Sequence, residues 1–358
     1  MKILSEAPGK LILLGEYAVL EGVPALVAAV NRFARVVLTA APGDHFVVAA
    51  PVIDVGPQRF RLNADGRIEF LQQPLEKLKF FGSIFESAVR VLRARRVPIS
   101  PVQITLDTSE FFLRKGAAKL GLGSSAALTV ALLAALFEQY DPGSAANGNR
   151  AELFRTALFA HREAQGNVGS GVDVAACVFG GVLQYTLREE NARQPAEVVP
   201  LTFPEDVLVL PVWSGKPSST SALVNQFFAY KKENGNGYRK LLERLTGLTT
   251  SGVAAFREGN VSGFFSAVEN YYRAMLDVGR VLETPIISPE HQSIAAAVRR
   301  RGGVYKPSGA GGGDLGIAFV QSARQLTQTA SEVQKAGFDV VHLELGAPGV
   351  RVRRMQEA

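Results

Sequence analysis

The sequence of 358 residues has little of several things, and each shortage argues against a class of protein. Cys177 is its single cysteine, so it can form neither an internal disulfide nor a cysteine-based zinc cluster. It has no run of about 18 apolar residues, so no membrane span is predicted. Its first six residues lack the apolar core of a signal peptide. We therefore expect a cytoplasmic protein with no membrane partner.

Excess charge of one sign is also small. Lys and Arg number 39 against 33 Asp and Glu, a net charge of +6. A nucleic-acid-binding protein usually concentrates its basic residues in one stripe. The densest basic runs here, residues 93–96 and 299–301, have no aromatic residues among them, so we expect no nucleic-acid partner. The excess indicates either an ordinary solvated surface or a funnel for an anionic substrate.

What the sequence does have is a globular composition, with 47% hydrophobic residues. Its length suits about two domains, and a polar stretch at residues 188–197 indicates a linker between domains of residues 1–190 and 191–358. Strand and helix patterns follow one another without regular alternation, so the predicted fold class is α+β. The predicted helices cover residues 75–95, 124–140, 152–165, 221–230, 237–245, 261–276, 288–300 and 323–336. The predicted strands cover residues 10–19, 34–40, 102–107, 207–213, 316–320 and 339–345.

The strongest functional signal is Gly121-Leu122-Gly123-Ser124-Ser125-Ala126-Ala127, at the start of the apolar helix 124–140. Glycines allow a close approach to a ligand, and the free N–H groups of a helix start bind phosphate. The serines either cap the helix or contact phosphate or Mg²⁺. The dinucleotide pattern G-x-G-x-x-A also fits, but no strand ending in an acidic residue follows, which disfavours an oxidoreductase. A Walker loop is absent.

Two further segments have the composition of anion-binding loops. Lys306-Pro307-Ser308-Gly309-Ala310-Gly311-Gly312-Gly313-Asp314 has more glycine than a hairpin needs. Its backbone either lies against phosphates or an acceptor substrate, or forms a flexible loop. Ala7-Pro8-Gly9-Lys10 places a lysine at the head of a strand. That lysine either faces solvent or neutralises an anion.

Together these three segments resemble the motifs of the GHMP kinases, in family order and across nearly the whole chain. The resemblance implies an N-terminal domain like ribosomal protein S5 domain 2 and a ferredoxin-like C-terminal domain. Residues 160–176, 213–220 and Asp314 resemble the phosphomevalonate kinases. Asn167 and Val172 depart from that subfamily, and Ser170-Gly171-Val172-Asp173 looks like mevalonate kinases. The resemblance thus implies 5-phosphomevalonate or mevalonate as the small-molecule substrate, and a monomer or homodimer.

The resemblance also implies roles for individual residues, with ATP and Mg²⁺ as cofactors. The catalytic residues are Lys10 and Asp173. The metal is held by Ser125, and Glu163 is either a second ligand or a solvated helix residue. ATP is bound by the second motif, namely Lys119, Gly121, Leu122, Gly123, Ser124, Ser125 and Ala126. The acceptor is bound by residues of several segments: Lys10, Glu16, Tyr17, Ser170, Gly171, Lys216, Ser218, Ser219, Thr220, Ser308, Gly309, Ala310 and Gly311.

Some of these roles have alternatives in the sequence. The hydroxyls of Ser218–Thr220 either bind the acceptor or cap the next helix, and His161 is expected to be structural. Asp173 is a general base if the acceptor is a hydroxyl, and positions Lys10 and the metal if the acceptor is a phosphate. Three hypotheses follow, namely a phosphomevalonate kinase, a GHMP kinase acting on a hydroxyl, and a nucleotide-binding regulator without catalysis.

Overall fold

The computed structural model of the protein describes residues 2–41, 43–73, 75–113, 118–143, 149–167, 169–188 and 194–355. In this part of the chain the strands are β1 (Lys2–Leu14), β2 (Ala25–Ala40), β3 (Phe46–Ala50), β4 (Val55–Leu62), β5 (Ile68–Phe70), β6 (Val102–Asp107), β7 (Val182–Leu187), β8 (Ala196–Leu201), β9 (Leu208–Trp213), β10 (Val304–Pro307), β11 (Leu315–Val320), β12 (Asp339–Val340) and β13 (Arg351–Met355). The helices are α1 (Lys79–Ala94), α2 (Ser124–Tyr140), α3 (Arg150–Ala164), α4 (Val172–Phe179), α5 (Thr220–Glu233), α6 (Gly235–Arg257), α7 (Val261–Val281), α8 (Pro289–Arg299) and α9 (Ala323–Lys335).

The larger sheet has nine strands in the described part of the chain. Its main path runs β13-β1-β2-β6-β3-β4-β5, and β7 pairs with both β2 and β8. Pairing is antiparallel except between β3 and β6. Helix α2 packs on β1 and β2 and also contacts α1, α3 and α4. Residues 126–137 of α2 are buried apart from Leu128, as expected for a helix that is apolar on all sides.

The smaller sheet is antiparallel, with strand order β10-β11-β9-β12. Helices α7 and α8 pack against β10, and α9 packs against β9. Every residue of β11 is buried, which explains its unbroken apolar sequence. The described chain has two separate sheets, each with helices packed against it, and this arrangement confirms the α+β prediction.

Several predicted elements have different bounds. The strand predicted over 10–19 ends at Leu14, because Gly15 (φ 103°) and Tyr17 (φ 62°) turn the chain into a short 3₁₀ helix, Ala18–Glu21. Helix α4 was absent from the prediction, since eight residues after three glycines give too short a pattern to recognise. Helix α6 continues well past residue 245, and the strand predicted over 339–345 is confined to β12.

The predicted domain boundary falls at residues 190 and 191, which lie outside the described residues. The pairing of the strands nevertheless crosses that boundary. β8 forms a hairpin with β7, and β13 returns from the end of the chain to pair with β1, so both strands belong to the larger sheet. The division at residue 190 therefore stays a prediction. Among the described residues, no helix combines the length and apolarity needed to cross a bilayer.

Candidate active site

A cavity of about 570 Å³ lies where several elements of both sheets meet. Its walls come from β1, the starts of α2, α4 and α5, and the loop between β10 and β11. All three motif segments therefore contribute to one cavity. The predicted site residues that line it are Lys10, Glu16, Tyr17, Lys119, Gly121, Leu122, Gly123, Ser124, Ser125, Ser170, Gly171, Asp173, Ser218, Ser219, Thr220, Gly309 and Ala310.

The start of α2 opens directly into this cavity. Gly123 precedes the helix in the left-handed conformation (φ 76°), and no side chain caps the helix. The prediction that serines cap it is therefore wrong, because Ser124 and Ser125 lie inside the first turn. Their hydroxyls and the free N–H groups of that turn are available to a ligand, which suits an anion. Ala126 follows them but is fully buried and does not line the cavity.

Ser125 is oriented by two side chains from the end of α3. Gln165 Nε2 donates to Ser125 Oγ at 3.1 Å, and His161 Nε2 lies 3.2 Å from the same oxygen. Gln165 also lies 3.1 Å from His161 Nε2. His161 is buried, and its contact with Ser125 supports a positioning role. One lone pair of Ser125 Oγ remains for a ligand.

Lys10 and Asp173 both lie close to the position that a Gly123 Cβ atom would occupy. A Cβ atom on Gly123 would be 3.2 Å from Lys10 Cε and 3.8 Å from Asp173 Cβ. Lys10 is 8% exposed, and its Nζ donates to the carbonyl of Gly121 at 3.4 Å. Asp173 Oδ1 accepts from the N–H of Val174 at 2.9 Å. No ion pair joins Lys10 and Asp173 among the described residues, although both side chains line the cavity.

Glu16 makes a buried ion pair that the sequence did not indicate. Lys306 Nζ lies 2.5 Å from Glu16 Oε1, and both side chains are at most 2% exposed. Gly309 N–H donates to the same oxygen at 3.0 Å. This pair joins β10, which directly precedes the glycine-rich segment 308–313, to the turn that follows β1. Burial lowers the pKa of Lys306, and the negative charge of Glu16, which acts to raise it, offsets only part of this effect. Glu16 Oε2 is buried with no hydrogen-bond partner among the described residues.

Most of the loop Gly309–Gly313 packs against neighbouring segments of the chain and not against the cavity. A Cβ on Gly311 would be 2.4 Å from the carbonyl oxygen of Ile286, and one on Gly313 would be 2.6 Å from that of Lys216. Gly309, in contrast, has open space in front of it. The abundance of glycine is therefore explained by close backbone packing, and only Gly309 and Ala310 line the cavity. Gly311, which was predicted to bind the acceptor, does not line the cavity.

Three hydroxyls predicted to bind the acceptor have partners within the protein. Tyr17 donates to the carbonyl of Ala310 at 2.5 Å, and Ser218 donates to that of Gly311 at 2.6 Å. Ser308 accepts from the N–H of Ile12 at 2.9 Å and does not line the cavity. Tyr17 and Ser218 thus donate their only hydroxyl proton within the protein. Both line the cavity, and their contact with the acceptor stays a prediction.

Two other predicted residues lie away from the cavity. The ammonium of Lys216 pairs with Glu290 at 2.5 Å, and this hydrogen bond holds the pKa of Glu290 at about 2. Glu163 pairs with Arg90 at 2.8 Å and accepts from Ser87 at 3.2 Å. Neither Lys216 nor Glu163 lines the cavity. The Glu163 side chain is 51% exposed, which favours the solvated helix residue of the two alternatives.

Two charged residues that were not predicted to form the site line the cavity. Arg162, near the end of α3, donates to the carbonyls of Gly169 at 3.1 Å and Ser170 at 3.4 Å. Asp314 has φ 58° and lies directly over Gly121. Burial raises the pKa of its carboxyl, whereas the Ser218 N–H and the charges of Lys10 and Lys119 act in the opposite direction. Asp314 follows the glycines in sequence, which was the one signal that could have identified it.

Comparison with known proteins gives consistent matches. The family model described as GHMP kinases N terminal domain matches residues 83–181. The phosphomevalonate kinase of Streptomyces sp. (strain CL190) is 31% identical, covering 94% of this chain and 95% of that protein. The mevalonate kinase of Homo sapiens is 28% identical, covering 98% and 94%.

Solved structures also match over nearly the whole chain. The Lin0012 protein from Listeria innocua has a TM-score of 0.88 at 27% identity and covers 99% of this chain and 100% of its own. The phosphomevalonate kinase of Streptococcus pneumoniae, solved in complex with phosphomevalonate and AMPPNP, has a TM-score of 0.80 at 20% identity, with coverage of 96% and 99%. At that identity the second likeness concerns the fold alone.

Proposed function

The chain belongs to the GHMP kinases, and from this premise we propose that it transfers the terminal phosphoryl group of ATP to 5-phosphomevalonate, giving 5-diphosphomevalonate and ADP. One observation carries the chemistry: Lys10, Asp173 and the first turn of α2 meet around Gly123. Phosphoryl transfer depends mainly on positioning and charge neutralisation. The choice of acceptor rests on the identity of 31% to the Streptomyces phosphomevalonate kinase over 94% of the chain.

The phosphates of ATP fit at the start of α2. Its first-turn N–H groups have no side-chain cap, and a helix N-terminus attracts anions through these groups and its dipole. Gly121 and Gly123 keep the backbone open to a close approach. Lys119 lies on the same wall and Lys10 beside it, so two cations face the phosphate chain. The need for ATP also favours a cytoplasmic location, which is part of the proposal.

Mg²⁺ is the metal that the family implies, and the residues here fit it. Mg²⁺ in kinases is held by one or two carboxylates together with substrate phosphates and water. Ser125 Oγ and the Asp173 carboxylate, both on the cavity wall, would hold it. Glu163 drops out of the predicted ligand set, because it pairs with Arg90. The ion would neutralise charge on the phosphates.

The acceptor fits beside the start of α5. There Ser219 is the N-cap residue, Thr220 is the first residue of the helix, and both line the cavity. Arg162 and the first-turn N–H groups of α5 offer charge and hydrogen bonds to an anionic acceptor. Glu16 Oε2, which is buried with no hydrogen-bond partner in the part of the chain that the structure describes, would accept a hydrogen bond from an acceptor hydroxyl. An acceptor with both anionic groups and a hydroxyl satisfies all of these groups.

Asp173 is the residue whose role depends on the acceptor. The second pKa of a phosphate monoester is near 6, so a phosphate acceptor is already ionised at neutral pH. A general base, typically worth about 10²–10⁴-fold, is then unnecessary. Asp173 would instead position the metal and Lys10. With a hydroxyl acceptor, Asp173 would have to take the proton.

The experiment is ADP release by wild type and Asp173→Asn with 5-phosphomevalonate and with mevalonate. We expect wild type to prefer 5-phosphomevalonate and the variant to keep substantial activity with it. Loss of nearly all activity with both acceptors would mean that the Asp173 carboxylate is essential, either as a base or as a ligand of Mg²⁺. Wild-type turnover of mevalonate alone would overturn the proposed acceptor and leave the kinase family standing.

Mevalonate is the second candidate acceptor. It is favoured by the identity of 28% to human mevalonate kinase over 98% of the chain and by the position of Asp173 on the cavity wall. Both acceptors share the same assay. No ADP release with either acceptor, or with other small alcohols, would favour the remaining hypothesis of a nucleotide-binding regulator.

A further inference from the structure

Asp314 has a backbone conformation that is uncommon for a residue other than glycine. Its φ of 58° lies in the left-handed region, which aspartate adopts more readily than most residues. The peptide group that joins Gly313 to Asp314 is fixed at both ends. The N–H of Asp314 donates to the carbonyl of Lys216 at 2.7 Å. The carbonyl of Gly313 accepts from His291 Nε2 at 2.9 Å.

His291 can make this bond in one tautomer only. A carbonyl only accepts, so Nε2 must carry the proton, and Nδ1 must then accept from Tyr305 Oη at 2.8 Å. His291 and Tyr305 are fully buried. Burial lowers the pKa of His291 to about 4, which keeps the ring neutral at physiological pH. A Cβ on Gly316 would be 1.9 Å from the Tyr305 hydroxyl, so glycine is required there to admit the pair.

The side chain held in this way touches two parts of the active site. Asp314 Oδ1 accepts from the N–H of Ser218 at 3.1 Å, next to the start of α5. Its Cβ and Cγ lie over Gly121, since a Cβ on that glycine would be 2.5 Å from each. Asp314 is thus the side chain through which the second sheet's loop contacts both the segment Ser218–Thr220 and the loop before α2.

We propose that Asp314 holds Ser218–Thr220 against the Gly121 loop, and that His291, outside the cavity, is a positioning residue that fixes Asp314 through the Gly313–Asp314 peptide. Loss of this support releases the segment on which the acceptor lies. The Michaelis constant for the acceptor should therefore rise, while that for Mg·ATP should change little. This kinetic consequence rests on the proposed function, whereas the consequence for loop order does not.

The test compares three variants with wild type. His291→Leu removes the donor to Gly313, and His291→Gln keeps an N–H that reaches it. Ile294→Ala is the matched control, because Ile294 is fully buried one turn further along α8 and its truncation destabilises without touching Gly313. We expect His291→Leu to raise the acceptor KM about 5- to 100-fold, the range for a buried carbonyl that is left without its donor. His291→Gln should restore most of it, and Ile294→Ala should leave it within about 2-fold.

Two further measurements keep the outcome decisive. Adding His291→Leu to Asp314→Ala should change the acceptor KM no further, because His291 acts through Asp314. Amide hydrogen exchange should be faster in residues 308–316 and 217–221 of His291→Leu and normal in His291→Gln. An equal rise in KM for Ile294→Ala, or unchanged exchange in His291→Leu, would overturn the proposal. If the exchange rates change as predicted but the wild type turns over no acceptor, the proposed function is overturned and the support of Asp314 by His291 stands.

Discussion

Replacing Gly121 by alanine tests how closely Asp314 must lie over the Gly121 loop. The new Cβ would be 2.5 Å from Asp314 Cβ and Cγ and 2.6 Å from Oδ2. Carbon atoms need about 3.5 Å, so Asp314 must move by about 1 Å. Gly121 also has φ 75°, a conformation that costs an alanine about 1 kcal/mol. A shift of that size in a positioned group can cost about 10²-fold in rate.

Gly166→Ala is the matched control for this change. Gly166 has φ 74° and nothing within 4 Å of its would-be Cβ, so it has the same backbone strain without the clash. We expect Gly166→Ala to lose about 2 °C in melting temperature from backbone strain alone, and Gly121→Ala to lose at least as much because of the added clash. Only Gly121→Ala should lose about 10²-fold in kcat/KM for the acceptor. Equal activity of the two variants, measured by ADP release, would refute the reasoning that the Asp314 contact matters.

Three further predictions concern single side chains. Lys10→Met should lower kcat by roughly 10²-fold with much less effect on nucleotide affinity; near-normal kcat would remove Lys10 from the mechanism. Ser125→Ala should lower Mg·ATP turnover strongly with only a small loss in melting temperature, because Ser125 does not cap the helix and its Oγ contacts just two side chains, Gln165 and His161, among the described residues; a collapse in stability would make it structural. The pKa of His291 is about 4 in the folded protein and about 6.5 unfolded, so the unfolded state binds more protons below pH 6.5. From pH 7 to pH 5, wild type should therefore lose about 2 kcal/mol more unfolding free energy than His291→Gln in urea titrations; equal slopes would refute a buried neutral ring.

Local patterns in the sequence predicted much of the fold. Helix α2 and strand β6 have the predicted bounds, because an apolar run and a strict alternation are set by neighbouring residues alone. The membership in the GHMP kinases was also readable from the three motif segments, and the match to the Streptomyces relative confirms it. Short elements such as α4 were not readable, since eight residues contain too little periodicity.

The residues of the site were predicted less completely than the motifs. Lys10, Ser125 and Asp173 line the cavity, and their roles stay predictions. Lys216 and Glu163 were assigned to the site by resemblance, but each has an oppositely charged neighbour elsewhere, Glu290 and Arg90. Such a pairing joins residues far apart in the chain, so no local pattern reports it.

The sequence by itself determined that two glycines and two serines stand at the start of a buried helix, because chain neighbours suffice to build a helix N-terminus. That this helix start binds phosphate stays a prediction. Only the tertiary structure decided what the second glycine-rich loop does. Its glycines admit Ile286 and Lys216, its lysine is buried against Glu16, and its last glycine, Gly313, has a carbonyl that contacts the buried ring of His291. These contacts depend on the distances between segments that only the packed fold brings together.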